Sequence, residues 1–261
     1  MTTAEAVADA ERALAAAGVP TPRVDAEWIV AHVAGATRSE LALGGVVDGD
    51  RVRELVARRV RREPLAYVLG EWGFRRLTLK TDARALVPRP ETEVVVERCL
   101  ALLRDVEAPR VLDVGTGTGA IALAIADEHS GARVTGVDVS TDALALAREN
   151  AARLGIGVDL RRVGVEAVEE GWDLVVANPP YVPQGALTAL EPELTWEPRL
   201  ALVEAGLHEE IASRARTRWL VLEVGDGQAA PVAELLRAHG YDDVVVTLDL
   251  AGTERVVEGS R

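Results

Sequence analysis

A doubly wound α/β sheet preceded by a small helical domain is the fold this 261-residue chain predicts. Three observations carry that prediction. From residue 110 onward, short β-branched runs alternate with stretches of helical period, the pattern of parallel strands covered on both faces. A glycine-rich turn, Gly115-Thr116-Gly117-Thr118-Gly119, joins the first of those strands to its helix. The apolar run 174–177 stops at Asn178-Pro179-Pro180-Tyr181, where two prolines forbid any continuation of a ladder.

Composition narrows the classes. Hydrophobic residues make up 48% and aromatic residues only 3%, so the core must come from Val, Leu, Ala and Ile. Lys80 is the only lysine, and the net charge of −13 argues against stable, sequence-independent binding to nucleic acid. Cys99 is the only cysteine, which excludes an intrachain disulfide and a cysteine-based metal site. The N-terminus lacks the layout of a signal peptide and no apolar run is long enough for a bilayer, so no membrane association and a cytoplasmic location are expected. Oligomeric state is left open.

Taken in order, residues 1–63 read as a helical domain. Ala6, Ala10, Leu14 and Ala17 share one face of a first helix that stops at Gly18-Val19-Pro20. Thr21-Pro22 starts a second, carrying Ala26, Trp28, Ile29 and Val33 inward, and Asp48 or Asp50 caps a third through Val52, Leu55, Val56 and Val60. Arg51, Arg53, Arg58, Arg59, Arg61 and Arg62 on that helix form a solvated, ion-paired face or a contact for an acidic partner. Residues 64–87 predict a β-hairpin linker with strands at 66–69 and 74–79, broken by Gly70 and Gly73.

Residues 88–261 carry the sheet. Pro88-Arg89-Pro90-Glu91-Thr92-Glu93 opens a helix whose apolar face runs through Val95, Val96, Cys99 and Leu103, and Arg89 between its two prolines is placed to face a pocket. Strands are predicted at 110–114, 133–137, 158–162, 174–177 and 219–224, helices at 120–127, 142–154 and 228–239, and a closing antiparallel pair at 243–248 and 254–257. Right-handed crossovers place the ends of all parallel strands on one edge, where ligands bind.

Three features end on that edge. The glycines Gly115, Gly117 and Gly119, with Thr116 and Thr118 between them, permit a tight turn before a helix start that offers N–H donors. Asp138, ending the second strand, can accept from both hydroxyls of a ribose. These two fit NAD or S-adenosylmethionine alike; the spacing is G-x-G-x-G, with Ala120 where a dinucleotide pattern has its third glycine. Asn178, Pro179, Pro180 and Tyr181 then favour methyl transfer to nitrogen. The Asn178 side-chain oxygen and the Pro179 carbonyl accept both hydrogens of a planar –NH2 group, Tyr181 offers a ring to lie against it, and acceptors of this kind act most strongly as positive charge develops on the nitrogen. No metal is called for.

Val111-Leu112-Asp113-Val114 with the glycine turn, Asp138 and Asn178-Pro179-Pro180-Tyr181 resemble the Rossmann-like class I S-adenosylmethionine-dependent methyltransferases acting on planar nitrogens. The segments 64–74, 88–93 and Glu197-Pro198-Arg199-Leu200-Ala201-Leu202 narrow the resemblance to the release-factor glutamine methyltransferases, the PrmC/HemK family, over essentially the whole chain. It implies N5-methylation of the glutamine side-chain amide in the Gly-Gly-Gln loop of peptide chain release factors. By the resemblance, Gly115–Gly119, Asp138 and Asn178 hold the cofactor, Asn178–Tyr181 and Arg89 hold the amide, and the helical domain docks the release factor, with the arginine cluster as a contact surface. Two departures stand out. Gly164-Val165-Glu166 replaces an acidic-then-apolar pair near the adenine, and 203–218 is short, without the family's Gly-Gly-x-Asp-Gly-Leu segment and full helix. Other readings use the same residues: methylation of another protein glutamine, or of adenine in nucleic acid, a NAD-dependent oxidoreductase, or a non-catalytic partner-binding protein that keeps the fold. The four histidines, scattered singly, read as structural.

Overall fold

The computed structural model describes residues 1–261, the side chains of 187–189 excepted, and divides into two units: Met1–Glu71 with Glu191–Trp196, and Trp72–Leu190 with Glu197–Arg261.

The first unit is helical. Helix α1 (Thr3–Ala16) starts with a capping box, in which Glu5 N donates to Thr2 Oγ1 and Thr2 N to Glu5 Oε2. Helix α2 (Pro22–Ala34) begins on a proline and stops at Gly35 in the left-handed conformation. Asp48 caps α3 (Gly49–Val60), accepting from the amides of Asp50 and Arg51. Ala6, Ala10, Leu14, Ala26, Ile29 and Leu55 are buried as expected, but Trp28 remains 39% exposed and Val30 is fully buried. The arginines of α3 are mostly spent on ion pairs. Arg51 meets Glu54, Arg53 meets Asp50, and Arg58 meets Glu63. Arg59 and Arg62 both grip Glu193 at 2.7 Å, and Arg59 also holds buried Asp25. Among the described residues only Arg61 of the cluster has no ion pair, so the paired-face reading describes this surface.

Residues 65–69 correct an expectation. They form a helix, α4 (Leu65–Leu69), started by Pro64 and stopped by Gly70 at φ +78°. A five-residue apolar run is too short for its period to separate strand from helix, and its flanking residues decided. The hairpin lies later, in β1 (Glu71–Phe74) and β2 (Leu77–Lys80).

The second unit holds α5 (Thr92–Leu103) and a seven-stranded sheet. Its elements are β3 (Arg110–Val114), α6 (Ala120–Glu128), β4 (Arg133–Asp138), α7 (Thr141–Leu154), β5 (Asp159–Arg162), β6 (Trp172–Ala177), α8 (Leu207–Arg214), β7 (Thr217–Glu223), α9 (Ala229–Ala238), β8 (Asp242–Leu248) and β9 (Glu254–Ser260). The strand order is β5-β4-β3-β6-β7-β9-β8, with β9 antiparallel between β7 and β8 and the rest parallel. Alternate residues feed opposite faces. Val111, Leu174, Val176 and Val221 meet α5 and α6, whereas Leu112, Val175, Leu220 and Leu222 meet α8 and α9. Cys99 is fully buried in the first of these layers, and burial pushes its thiol well up. Helix α8 corrects a second expectation: the short segment 203–218 does contain a helix, of eight residues. Among the described residues, no helix is long and apolar enough to cross a membrane.

Candidate active site

The sheet reverses its order at β3, whose neighbours are β4 and β6, and such a switch point leaves a crevice at the strand ends. Pairing registers make those ends flush. Val114 of β3 pairs Val137 of β4 and Ala177 of β6, and Ala177 pairs Leu222 of β7. The next residue on each strand is therefore Gly115, Asp138, Asn178 or Glu223, four chain positions brought to one level.

The glycine turn is held from beneath. The amides of Gly115 and Thr116 both donate to Val137 O at 2.9 Å, and Gly115, Gly117 and Gly119 all adopt positive φ. At Gly119 the lack of a side chain also matters for packing, because a Cβ there would lie 3.0 Å from Leu123 Cδ1. Asp138 ties the turn to its neighbour strand, accepting from Gly117 N at 3.1 Å and from Ser140 N at 2.9 Å. One bond per oxygen leaves acceptor capacity for a ligand. Beneath, the buried Asp113 accepts from Thr116 Oγ1 at 2.6 Å and from Ala122 N, while its Oδ1 has no partner. Burial, with a smaller push from Asp138, raises its carboxyl to about 7.

The turn after β6 differs in kind. Asn178 donates through Nδ2 to Thr92 Oγ1 at 3.3 Å, and among the described residues no donor is bonded to its Oδ1 or to the carbonyls of Asn178, Pro179 and Pro180. Gln228 secures the exit of the turn, donating to Tyr181 O at 3.1 Å and accepting from Gly225 N at 3.0 Å. Beyond it, Val182 and residues 202–204 exchange backbone bonds, Val182 N to Leu202 O and Glu204 N to Val182 O, both 2.9 Å.

A cavity of about 270 Å³ opens at this level. Gly115, Thr116, Gly117, Thr118, Asp138, Asn178, Pro179, Pro180 and Arg89 line it, together with Thr92, Val139, Val165, Pro198 and Leu200. Gly119 and Tyr181 do not. Gly119 lies behind the turn as its left-handed link to α6. The Tyr181 ring packs against Gly225, where a Cβ would come within 2.9 Å of Tyr181 Cδ2. The donor set fits a nucleoside cofactor bearing an amino acid. Asp138 could take a ribose diol, the first-turn amides of α6 at Ala120 and Ile121 a carboxylate, and the apolar Val139 and Val165 a flat base. Among the described residues no cluster of His, Cys, Asp or Glu could hold a metal ion.

Comparison with known proteins supplies a family. The family described as PrmC N-terminal domain matches residues 5–70, and the methyltransferase small domain matches 93–207. A release factor glutamine methyltransferase of Deinococcus radiodurans is 43% identical over 95% of this chain and 94% of its own. The chain belongs to the release factor glutamine methyltransferase family. Further relatives of that name in Salmonella typhimurium and Fusobacterium nucleatum are 37% and 35% identical, covering 92% of this chain and 92% and 73% of theirs. Among solved structures, the human METTL16 catalytic domain in complex with an RNA hairpin superposes with a TM-score of 0.60 at 18% identity, over 79% of this chain and 80% of that one, a likeness of fold.

Four residues of this methyltransferase escaped the sequence reading. Glu197, almost fully buried, accepts from Val87 N at 3.0 Å and from Arg89 Nη2 at 2.5 Å, and so fixes the proline-arginine-proline segment along the cavity wall. Burial raises its carboxyl above the usual range despite Arg89 beside it. Thr92 and Glu223 stand behind Asn178, and Gln228 clamps Tyr181. The signal for Glu197 was present, since it opens the 197–202 segment that singled out the family. His208 is buried and bonded to Glu223 O at 2.8 Å, and burial lowers its pKa, in keeping with a structural histidine.

Proposed function

We propose that the protein methylates the side-chain amide nitrogen, N5, of the glutamine in the Gly-Gly-Gln loop of peptide chain release factors, with S-adenosylmethionine as methyl donor. The observation that carries this reading is the turn after β6: among the described residues no donor is bonded to Asn178 Oδ1 or to the carbonyls of 178–180, and Asn178, Pro179 and Pro180 line the same cavity as Asp138 and the glycine turn. When bound, S-adenosylmethionine supplies an electrophilic methyl group. The rest falls to the chain's own residues. Gly115–Thr118 and Asp138 hold the cofactor, Gly119 linking their turn to α6, and Arg89, anchored by Glu197, lines the approach of the glutamine. Asn178 Oδ1 and the Pro179 carbonyl accept the two amide hydrogens and fix the nitrogen in line for attack. An amide nitrogen is a poor nucleophile because its lone pair is shared with the carbonyl. Acceptors on both its hydrogens favour pyramidalisation as positive charge grows, and so act on the transition state more than on the ground state. An N-methylated cationic amide is strongly acidic and sheds its proton without a dedicated base.

The helical first unit, residues 1–63 in sequence terms, docks the release factor, followed by the linker 64–87 and the catalytic domain 88–261. Of its arginines, Arg51 and Arg53 sit in exposed ion pairs that an acidic partner could exchange, whereas Arg59 and Arg62 are held by Glu193. The test is transfer of labelled methyl from S-adenosylmethionine to a purified release factor and to its Gln-to-Ala loop variant. Labelling of the first alone is expected; equal labelling of both overturns the substrate, and labelling of adenine in nucleic acid replaces it.

A further inference from the structure

We infer that Thr92 and Glu223 are positioning residues that hold the Asn178 amide with its oxygen toward the substrate. The inference rests on the reading of Asn178 as an acceptor for the glutamine amide. An asparagine side chain presents a donor face and an acceptor face of nearly equal size, and a half-turn about its last bond exchanges them. With Nδ2 toward the cavity, Asn178 would confront the substrate –NH2 donor against donor. Something must therefore choose the orientation.

The strand registers bring the selector into place. Ala177 pairs Leu222, so Asn178 and Glu223 leave neighbouring strands at one level. Thr92, the first residue of α5, is 4% exposed; it accepts from Asn178 Nδ2 at 3.3 Å, and its side chain acts to lower the Glu223 pKa, favouring the charged form. A threonine hydroxyl has one proton. A carboxylate only accepts, so a Thr92 proton turned toward Glu223 leaves the hydroxyl a lone pair that can meet only the donor face of Asn178. Glu223 itself is 1% exposed, with Oε2 lacking a partner among the described residues, a costly placement for a carboxyl that only completes a strand. The proline-arginine-proline-acid segment thus acquires a second task beyond starting α5: it delivers Thr92.

Protonation of Glu223 would reverse the chain, since a carboxylic acid can donate to Thr92 and leave that hydroxyl to donate to Asn178 Oδ1. Burial raises this carboxyl to about 7. Arg255 on β9 and Arg89 oppose that shift, Glu91 adds to it, and His208 on α8 meets the Glu223 carbonyl.

The experiment measures kcat, KM for the release factor and S-adenosylmethionine affinity for Thr92→Val, Thr92→Ser, Glu223→Gln and Asn178→Ala. Thr92→Val, which keeps shape and loses the hydroxyl, should lower kcat at least tenfold with cofactor affinity unchanged, and Thr92→Ser should recover it to within about threefold of wild type. Wild-type kcat should rise as pH increases through about 7, while Glu223→Gln stays near the low-pH value. The Asn178 side-chain amide resonances should move in Thr92→Val without substrate. Wild-type kcat in both Thr92→Val and Glu223→Gln, with Asn178→Ala inactive, overturns the positioning role alone. Full activity in Asn178→Ala overturns the reading beneath it. If Thr92→Val fails to fold, Glu223→Gln and its pH profile decide.

Discussion

The turn after β3 and the turn after β6 face one cavity and are built on opposite principles. The first uses freedom: three glycines at positive φ curl the backbone so that amides converge, and its bonds run to Val137 O and Asp138. The second uses stiffness: two prolines remove two donors and fix φ, and among the described residues no donor is bonded to the carbonyls of Asn178, Pro179 and Pro180. Neighbouring strands of one sheet thus end in a loop that leads to the first-turn amides of α6 at Ala120 and Ile121 and a loop that carries open carbonyls. A cofactor with a carboxylate and an amide with two hydrogens need just such unlike hosts. The lesson is that sheet register supplies proximity, while the residues after each strand supply the sign of the hydrogen bond.

The comparison breaks most sharply at Asn178. Asn178→Ala should reduce turnover by three orders of magnitude or more while shifting the melting temperature by only a few degrees, measured by methyl transfer and thermal unfolding. An inactive variant that also loses cofactor affinity would place Asn178 on the cofactor side. Asp138→Ala tests the other host. Loss of a charge-assisted acceptor, worth about 1.5–3 kcal/mol, should weaken S-adenosylmethionine binding roughly 10- to 100-fold by calorimetry, with KM for the protein substrate far less affected. Pro179→Ala sharpens the contrast, because it restores an N–H and loosens φ at little cost to folding; kcat should fall about tenfold. Unchanged kcat there would mean that stiffness is not needed.

A smaller effect concerns stability. The Glu223 carboxyl sits at about 7 in the folded protein, above its ordinary 4.5, chiefly through burial. A group raised on folding stabilises fully below its unfolded value, and that contribution is lost as pH rises through about 7. Asp113 adds a change of the same sign. Glu223→Gln should therefore flatten the decline in melting temperature between pH 5 and 8, by an amount corresponding to at most about 3 kcal/mol. The smallest expected change is Tyr181→Phe. With its ring packed at Gly225 outside the cavity, loss of the hydroxyl should alter kcat by less than about threefold.

Much of the second unit was legible because its signals are local. Gly115 to Gly119, Asp138 and Asn178 to Tyr181 each end a β-branched run, and strand–helix alternation fixes which edge they share. Residues 65–69 were misread because a short apolar run carries no period, and α8 because its eight residues lack a strong start signal, with Gly206 as N-cap. The supporting bonds were illegible for another reason. Asn178 meets Thr92 across 86 residues, Glu197 meets Val87 across 110 and Gln228 meets Tyr181 across 47, and such pairs leave no pattern in the intervening chain. Tyr181 shows the converse, a residue whose place at the end of the turn is visible in the sequence while its packing against Gly225 is not.

The flush ends of β4, β3, β6 and β7 carry a consequence for chain length. Side chains alternate along a strand, so inserting or deleting one residue inside β6 would exchange Leu174 and Val176 with Val175 between the two layers and carry Asn178 off the common level. Length changes in this protein should thus be accepted at the hairpin tip between β8 and β9, where Leu250 is fully exposed, and rejected in β6.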